Sequence, residues 1–235
     1  MTIREIFRIA DHWHFAISTT TIETGDPPMR IGIIGAGNIG TALVKRLAPH
    51  GHELMLSFHR DRAALSELAS SLGVASGTPA EAVEFAEVVV LAVPWGVVPD
   101  ALKEAGRFDG KILWDCTNAL KSDMSGLEVG TTTSAGELVA QWASDARVVK
   151  GVPPFAQLLH SDDPTIGGQP PSVFVAGADA QAKAAVAQLM SELPATVTDA
   201  GPLEASRFIE PAMMLVVHMA YRQGHGPRIA MQLMR

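Results

Sequence analysis

Six residues near the front of the chain, Gly35-Ala36-Gly37-Asn38-Ile39-Gly40, constrain its fold more than any other stretch. A G-x-G-x-x-G on its own is a common glycine-rich turn. Here it directly follows the apolar run Ile31 to Ile34 and directly opens a helical pattern at Asn38, the strand-turn-helix setting in which the motif binds a dinucleotide. Gly35 allows the tight turn, Gly37 lets the main chain approach a pyrophosphate without a Cβ, and Gly40 allows helix and strand to pack closely. The helix start adds unsatisfied N–H groups and a partial positive charge for the phosphates.

The residues that follow keep the same rhythm. Strands are expected at Leu54 to Phe58, Val74-Ala75, Val88 to Val93, Ile112 to Asp115 and Arg147 to Lys150. Helices are expected at Asn38 to Ala48, Arg62 to Leu72, from Thr78-Pro79, at about Val97 to Ala105 and from Thr133-Ser134. Val88 to Val93 is apolar throughout, which suits a central strand buried on both faces. Strands alternating with helices in this way predict an α/β fold, a Rossmann-type doubly wound parallel sheet. Beyond Gly151 a proline- and glycine-rich stretch, 152 to 171, reads as a long loop that is functional or connects domains. A smaller C-terminal α/β extension follows, with strands at Val173 to Val175 and Thr196 to Thr198 and helices at Ala180 to Glu192 and Leu203 to Tyr221. The last helix is apolar on most sides and should be buried, in its own core or against a second subunit.

The expected division is therefore 1–28 as an N-terminal extension, 29–151 as the nucleotide-binding domain, and 152–235 as a region for the acceptor pocket and dimerisation. Two readings of 1–28 stand. Met29, one residue before the first strand, is the natural start and the preceding residues are not native, or they form a short amphipathic helix on the body.

The cofactor choice turns on the end of the second strand, about 20 residues past the glycines, where an NAD site places a carboxylate for the ribose hydroxyls. This chain has Ser57 and Phe58 there, then His59 and Arg60. A guanidinium fork suits a 2′-phosphate, so NADP(H) is expected, with Phe58, His59 and Arg60 at its adenosine end. Ala92, Val93, Pro94 and Trp95, ending the central strand, and Thr117 and Asn118, ending the next, lie at the sheet edge where open α/β folds bind ligands. Thr117 and Asn118 can hydrogen-bond the nicotinamide ribose or carboxamide.

Composition excludes several alternatives. With 18 basic against 25 acidic residues the formal charge is −7, and no run of cations supplies a nucleic-acid footprint. No apolar stretch reaches the roughly 20 residues of a bilayer span. The single cysteine, Cys116, rules out an intramolecular disulfide, suits a reducing cytoplasmic compartment and reads as a small buried hydrophobe. The histidines, among them His50, His52, His160, His218 and His225, show no zinc-ligand spacing and read as surface or helix-end residues.

Ile31 to Gly40, Val93-Pro94-Trp95, Leu113 to Asn118, Thr133 to Glu137, Val148 to Gly151 and Asp199-Ala200-Gly201-Pro202-Leu203 through Arg207 occur in this order. In that arrangement the chain resembles the NADP oxidoreductases of the coenzyme F420-dependent type. These include deazaflavin reductases and the reductase domain of the six-transmembrane epithelial antigen metalloreductases. The resemblance runs from Met29 to the C-terminus. It implies hydride transfer between NADPH and a flavin-like acceptor (F420, FMN, FAD or a quinone), by positioning in an apolar slot. Trp95, Asn118 and Phe155 are then the candidates at the reacting end. Where the deazaflavin reductases carry a histidine after Val-Val-Lys-Gly, this chain has Pro153-Pro154-Phe155, which favours an acceptor stacked on Phe155 over one held by polar contacts. Two other functions remain open at this point: an imine- or pyrroline-carboxylate-type reductase, and a non-enzymatic NADP(H) sensor. The partners expected are a small-molecule acceptor and a second copy in a homodimer, with no nucleic acid, membrane or metal.

Overall fold

The computed structural model describes residues 27–58 and 61–234. All but the last two residues of the extension, together with His59 and Arg60, lie outside the described residues. The elements are β1 (Arg30–Ile34), α1 (Asn38–Leu47), β2 (Glu53–Ser57), α2 (Arg62–Leu72), β3 (Ala75–Ser76), α3 (Pro79–Phe85), β4 (Val88–Leu91), α4 (Val98–Ala105), β5 (Ile112–Asp115), α5 (Ala135–Trp142), β6 (Arg147–Gly151), α6 (Ala156–His160), β7 (Ser172–Gly177), α7 (Ala180–Ser191), β8 (Thr196–Asp199) and α8 (Ser206–Tyr221). Short 3₁₀ turns precede β2, α4 and α8.

Period-2 alternation sorts the strand residues between two layers. Ile31, Ile33, Val88, Val90 and Trp114 face a core shared with α1, α2 and α7. Ile34, Val89, Leu91 and Leu113 face the opposite core, with α3, α4 and α5. All four residues of β4 are buried, as a strand covered on both faces requires. Local signals fix the helix ends. Asp61 caps α2 by accepting from the Ala63 and Ala64 amides, and Thr78 with Glu81 forms a reciprocal capping box at α3.

The eight strands form one sheet in the order β3-β2-β1-β4-β5-β6-β7-β8. The chain winds outward from β1 to β3, then returns to β4 on the other side of β1, so the topological switch point lies between β1 and β4. Every pairing is parallel except β6 with β7. The reversal has a simple cause, because the chain leaving β6 never crosses back to the amino edge. Residues 152–171 stay at the carboxyl edge and β7 starts there. This stretch also differs from the loop the prolines predict, since it contains the one-and-a-half-turn helix α6. Cations of α1 satisfy that helix's terminal carbonyls: Lys45 Nζ donates to His160 O at 2.8 Å and Arg46 Nε to Leu159 O at 2.6 Å. These bonds are non-local, so prolines and glycines alone gave no sign of them.

One further expectation is narrowed to its second-subunit alternative and another changes. The last helix is buried on one face only, and Phe208 and Leu215 stand 78% and 57% exposed on the other. His52 is no surface residue. Its ring is buried, Nδ1 accepts from the Met29 amide at 3.0 Å, and Nε2 lies 2.6 Å from the Glu192 carboxylate.

Candidate active site

At the switch point the three glycines divide their work. Gly35 sits at φ +126°, its amide donates to Ser57 O at 3.0 Å, and a Cβ would meet Ala92 O at 2.3 Å. A Cβ on Gly40 would lie 1.9 Å from Gly35 O. Both positions therefore lock the turn to its neighbours. Gly37 is different, because a Cβ there would meet nothing within 4 Å. No side chain caps α1, and its first turn holds no acid. Open space in front of an uncapped helix start fits a pyrophosphate.

A cleft of about 590 Å³ runs from this helix start along the carboxyl ends of β4 and β5. Gly37, Asn38 and Ile39 form one end. Ala92, Val93, Pro94 and Trp95 line the middle with Thr117 and Asn118, and Phe155 closes the far side with Pro153 and Pro154. Met213 and Val217 of α8 complete that wall. Sequence positions more than 100 residues apart thus meet in one mainly apolar space. Gly35, Ala36 and Gly40 shape the turn from behind rather than lining it. Phe58 also stands outside the lining. It packs half-buried against the α3–α5 core at φ +59°, a conformation costing on the order of 1–3 kcal/mol for such a residue.

The aromatic candidates are held from outside the cleft. Trp95 stacks on Trp142 with centroids 5.4 Å apart and 28° between planes, so one ring face is already covered. Phe155 meets Tyr221 edge-on at 6.0 Å. Cys116 lines the cleft wall as a buried thiol whose pKa is pushed well up, by burial first and by the neighbouring Asp115 second. It is no nucleophile at neutral pH.

Beneath Thr117 and Asn118 lies a cluster that sequence reasoning did not assign. Lys150, Asp115 and Glu210 are all buried, and Lys150 Nζ sits 3.0 Å from a carboxylate oxygen of each acid. The same ammonium donates to the Thr117 carbonyl. Asp115 Oδ1 accepts from the Thr117 amide and hydroxyl at 2.8 and 2.7 Å. The Glu210 carboxylate accepts from the amides of Ala135 and Gly136 at 2.8 and 2.9 Å, on the positive end of α5. Burial pulls the Lys150 ammonium down, but Asp115 and Glu210 outweigh it and hold its pKa above the ordinary lysine value. Asn118 Nδ2 donates to the Glu210 carbonyl at 3.2 Å, which leaves Asn118 Oδ1 a buried acceptor with no partner. The signal available in the sequence was a lone charge inside each apolar run, Lys150 after Val148-Val149 and Glu210 within the last helix.

Residues 30–119 match the family model described as NADP oxidoreductase coenzyme F420-dependent. Among solved structures, the chain is similar to a candidate F420-dependent NADP-reductase of Arthrobacter sp. FB24, with 29% identity, TM-score 0.79, 88% of this chain and 100% of that one covered. It is similar to a hypothetical protein of Sinorhizobium meliloti at 28% identity and TM-score 0.69, over 88% and 96% of the two chains. An imine reductase of Aspergillus terreus, crystallised with NADPH4, shares the fold at 18% identity and TM-score 0.62, over 84% of this chain and 64% of its own. None of the described helices is long and apolar enough to cross a membrane. The matched stretch holds the glycine turn, the switch point and the end of β5, so it is through residues 30–119 that the chain is similar to the NADP oxidoreductases of the coenzyme F420-dependent family.

Proposed function

We propose that the chain transfers a hydride between NADP(H) and a flavin-like acceptor, of which F420, FMN, FAD and a quinone are the candidates. The observation that carries this reading is the single cleft joining an uncapped, acid-free helix start to an apolar slot ending in Phe155. Bound NADPH would supply the hydride. The α1 amides would hold its pyrophosphate, Asn118 and Thr117 its nicotinamide half, and Val93 and Pro94 would exclude water from the reacting carbon. Phe155, backed by Tyr221, offers a ring for the acceptor to stack on. The likeness to the Arthrobacter protein supports a deazaflavin in that place. Hydride transfer needs the reacting atoms about 3–3.5 Å apart and aligned, which rigid walls supply without an acid–base triad.

The choice of the phosphorylated nucleotide rests on the end of β2. Ser57 is buried with its hydroxyl donating to Ile33 O, and the first acid beyond it, Asp61, caps α2. Neither offers a carboxylate to a ribose diol, and Arg60 is the cation for the 2′-phosphate. Arg60→Ala should weaken NADPH binding tenfold or more, about 1.4 kcal/mol, and NADH binding less than twofold, measured by calorimetry. Equal losses would remove the basis for choosing NADP(H). Stopped-flow oxidation of NADPH against F420, FMN, FAD and a quinone identifies the acceptor, and turnover of a cyclic imine with none of these would select the imine-reductase reading instead. On the same reading the protein is cytoplasmic and pairs through the exposed Phe208 and Leu215 face of α8.

A further inference from the structure

Among the described residues, Asp115, Lys150 and Glu210 are the only buried side chains of aspartate, lysine or glutamate, and all three meet at one point under the cleft floor. Taking three charges out of water is costly, and apolar residues of the same volume generally stabilise a core as well or better. The cluster is better explained by what it holds in place. Four segments converge on it: the end of β5, the start of α5, β6 and α8. Lys150 is the hub, since its ammonium bonds the Thr117 carbonyl and both acids. Glu210 carries the constraint one step further, because its main-chain oxygen takes the Asn118 amide nitrogen and so decides which end of that amide stays free.

We propose that Lys150 is a positioning residue for the nicotinamide end of the cleft: through Thr117 O and Glu210 it fixes Asn118 with Oδ1 as a hydrogen-bond acceptor, which selects a nucleotide group bearing an N–H or O–H. The carboxamide of a nicotinamide is such a group. This rests on the NADP(H) reading above. Lys150 touches no ligand itself. Its loss loosens the floor at Thr117 and Asn118 and leaves the phosphate site on α1, which the cluster does not touch, as it was.

The test is Lys150→Met, read by three measurements at a temperature where thermal melting shows the variant fully folded. Calorimetric affinity for NADPH should change less than threefold. The fluorescence lifetime of bound NADPH, long when the nicotinamide is immobilised away from water, should fall to near the free value. NADPH oxidation with F420 should lose at least tenfold in kcat. Asp115→Asn/Lys150→Met/Glu210→Gln removes all three charges together, and it keeps the test valid if the single variant does not fold. Should either folded variant keep the wild-type lifetime, the proposal fails while the NADP(H) reading survives. If wild-type protein binds no NADPH, both fall.

Discussion

The glycine turn opens the cleft and the buried charge cluster lies under its floor, and they are built in opposite ways. The turn is made by main chain within six consecutive residues, and its specificity lies in side chains that are missing. The cluster is made by the side chains of positions 115, 150 and 210 with the amides of 135 and 136, brought together only by the finished sheet. A local device of backbone can be read along the chain, whereas a non-local device of charges exists only after folding. Their energetics differ too, since the turn depends on close contact and the cluster on charge balance.

The largest expected effect falls on the cluster. Lys150→Met leaves two carboxylates buried without their cation, a loss of about 3–5 kcal/mol in unfolding free energy. Urea titration of the single and triple variants measures it. The triple variant, with no charge left unbalanced, should recover most of that loss. If the single variant were as stable as wild type, charge balance would not be what holds the cluster.

Next in size is Gly40→Ala. The new Cβ would stand 1.9 Å from Gly35 O, with backbone on both sides, so α1 must move off β1. Overpacking of this kind costs about 1–3 kcal/mol, and the rigidity of both partners places it at the upper end. At about 2–4 °C per kcal/mol for a chain of this length, the melting point should drop by roughly 6–12 °C. Gly37→Ala sharpens the same comparison from the other side. Its Cβ meets nothing and its φ of −86° suits alanine, so stability should stay within about 1 kcal/mol, while NADPH affinity falls at least tenfold as the methyl fills the phosphate approach. A Gly37→Ala protein that binds NADPH normally would mean the open space in front of α1 is not where the phosphates go.

The same contrast explains what could be read in advance. Helix α2 is legible to the residue from the helical spacing of Ala64, Leu65, Leu68, Ala69 and Leu72, and the Asp61 and Gly73 caps hold those ends in the structure. The strands around the switch point were legible because apolar β-branched runs have few other uses. Thr117 and Asn118 are placed in the cleft by the end of a strand, which positions side chains wherever the sheet order runs as expected, whereas Phe155 follows only from the family resemblance. What escaped was whatever depends on a partner far along the chain. Helix α6 is completed by Lys45 and Arg46, more than 100 residues upstream, and His52 is buried because Glu192 and the Met29 amide receive it. The reversal of β7 depends on where the preceding excursion ends, and no residue in β7 itself records that.

The smallest effect lies at the rim of the charged region, where Arg207 Nε donates to Glu137 at 2.8 Å and ties the start of α8 to α5. Arg207 holds the Glu137 carboxyl below its ordinary value near 4.5, against the opposing pull of burial, and the Ser134 hydroxyl adds to the lowering. A carboxyl whose pKa is lower when folded binds its proton more readily when unfolded. Its contribution is therefore complete above about 4.5 and is lost as pH falls through the lowered value. Because Arg207 is about a third exposed, solvent screens the pair and the contribution should not exceed about 1 kcal/mol. Glu137→Gln should thus lower the urea midpoint slightly at pH 6, and the gap between the two proteins should narrow as pH falls below about 4.5. Other carboxyls, Asp145 among them, are also held low, so wild type and variant should both still weaken in acid. A gap between them that stayed constant from pH 6 to pH 3 would show that Glu137 acts by packing rather than by charge. The rim would then work by contact, like the glycine turn, and not by charge, like the buried cluster beside it.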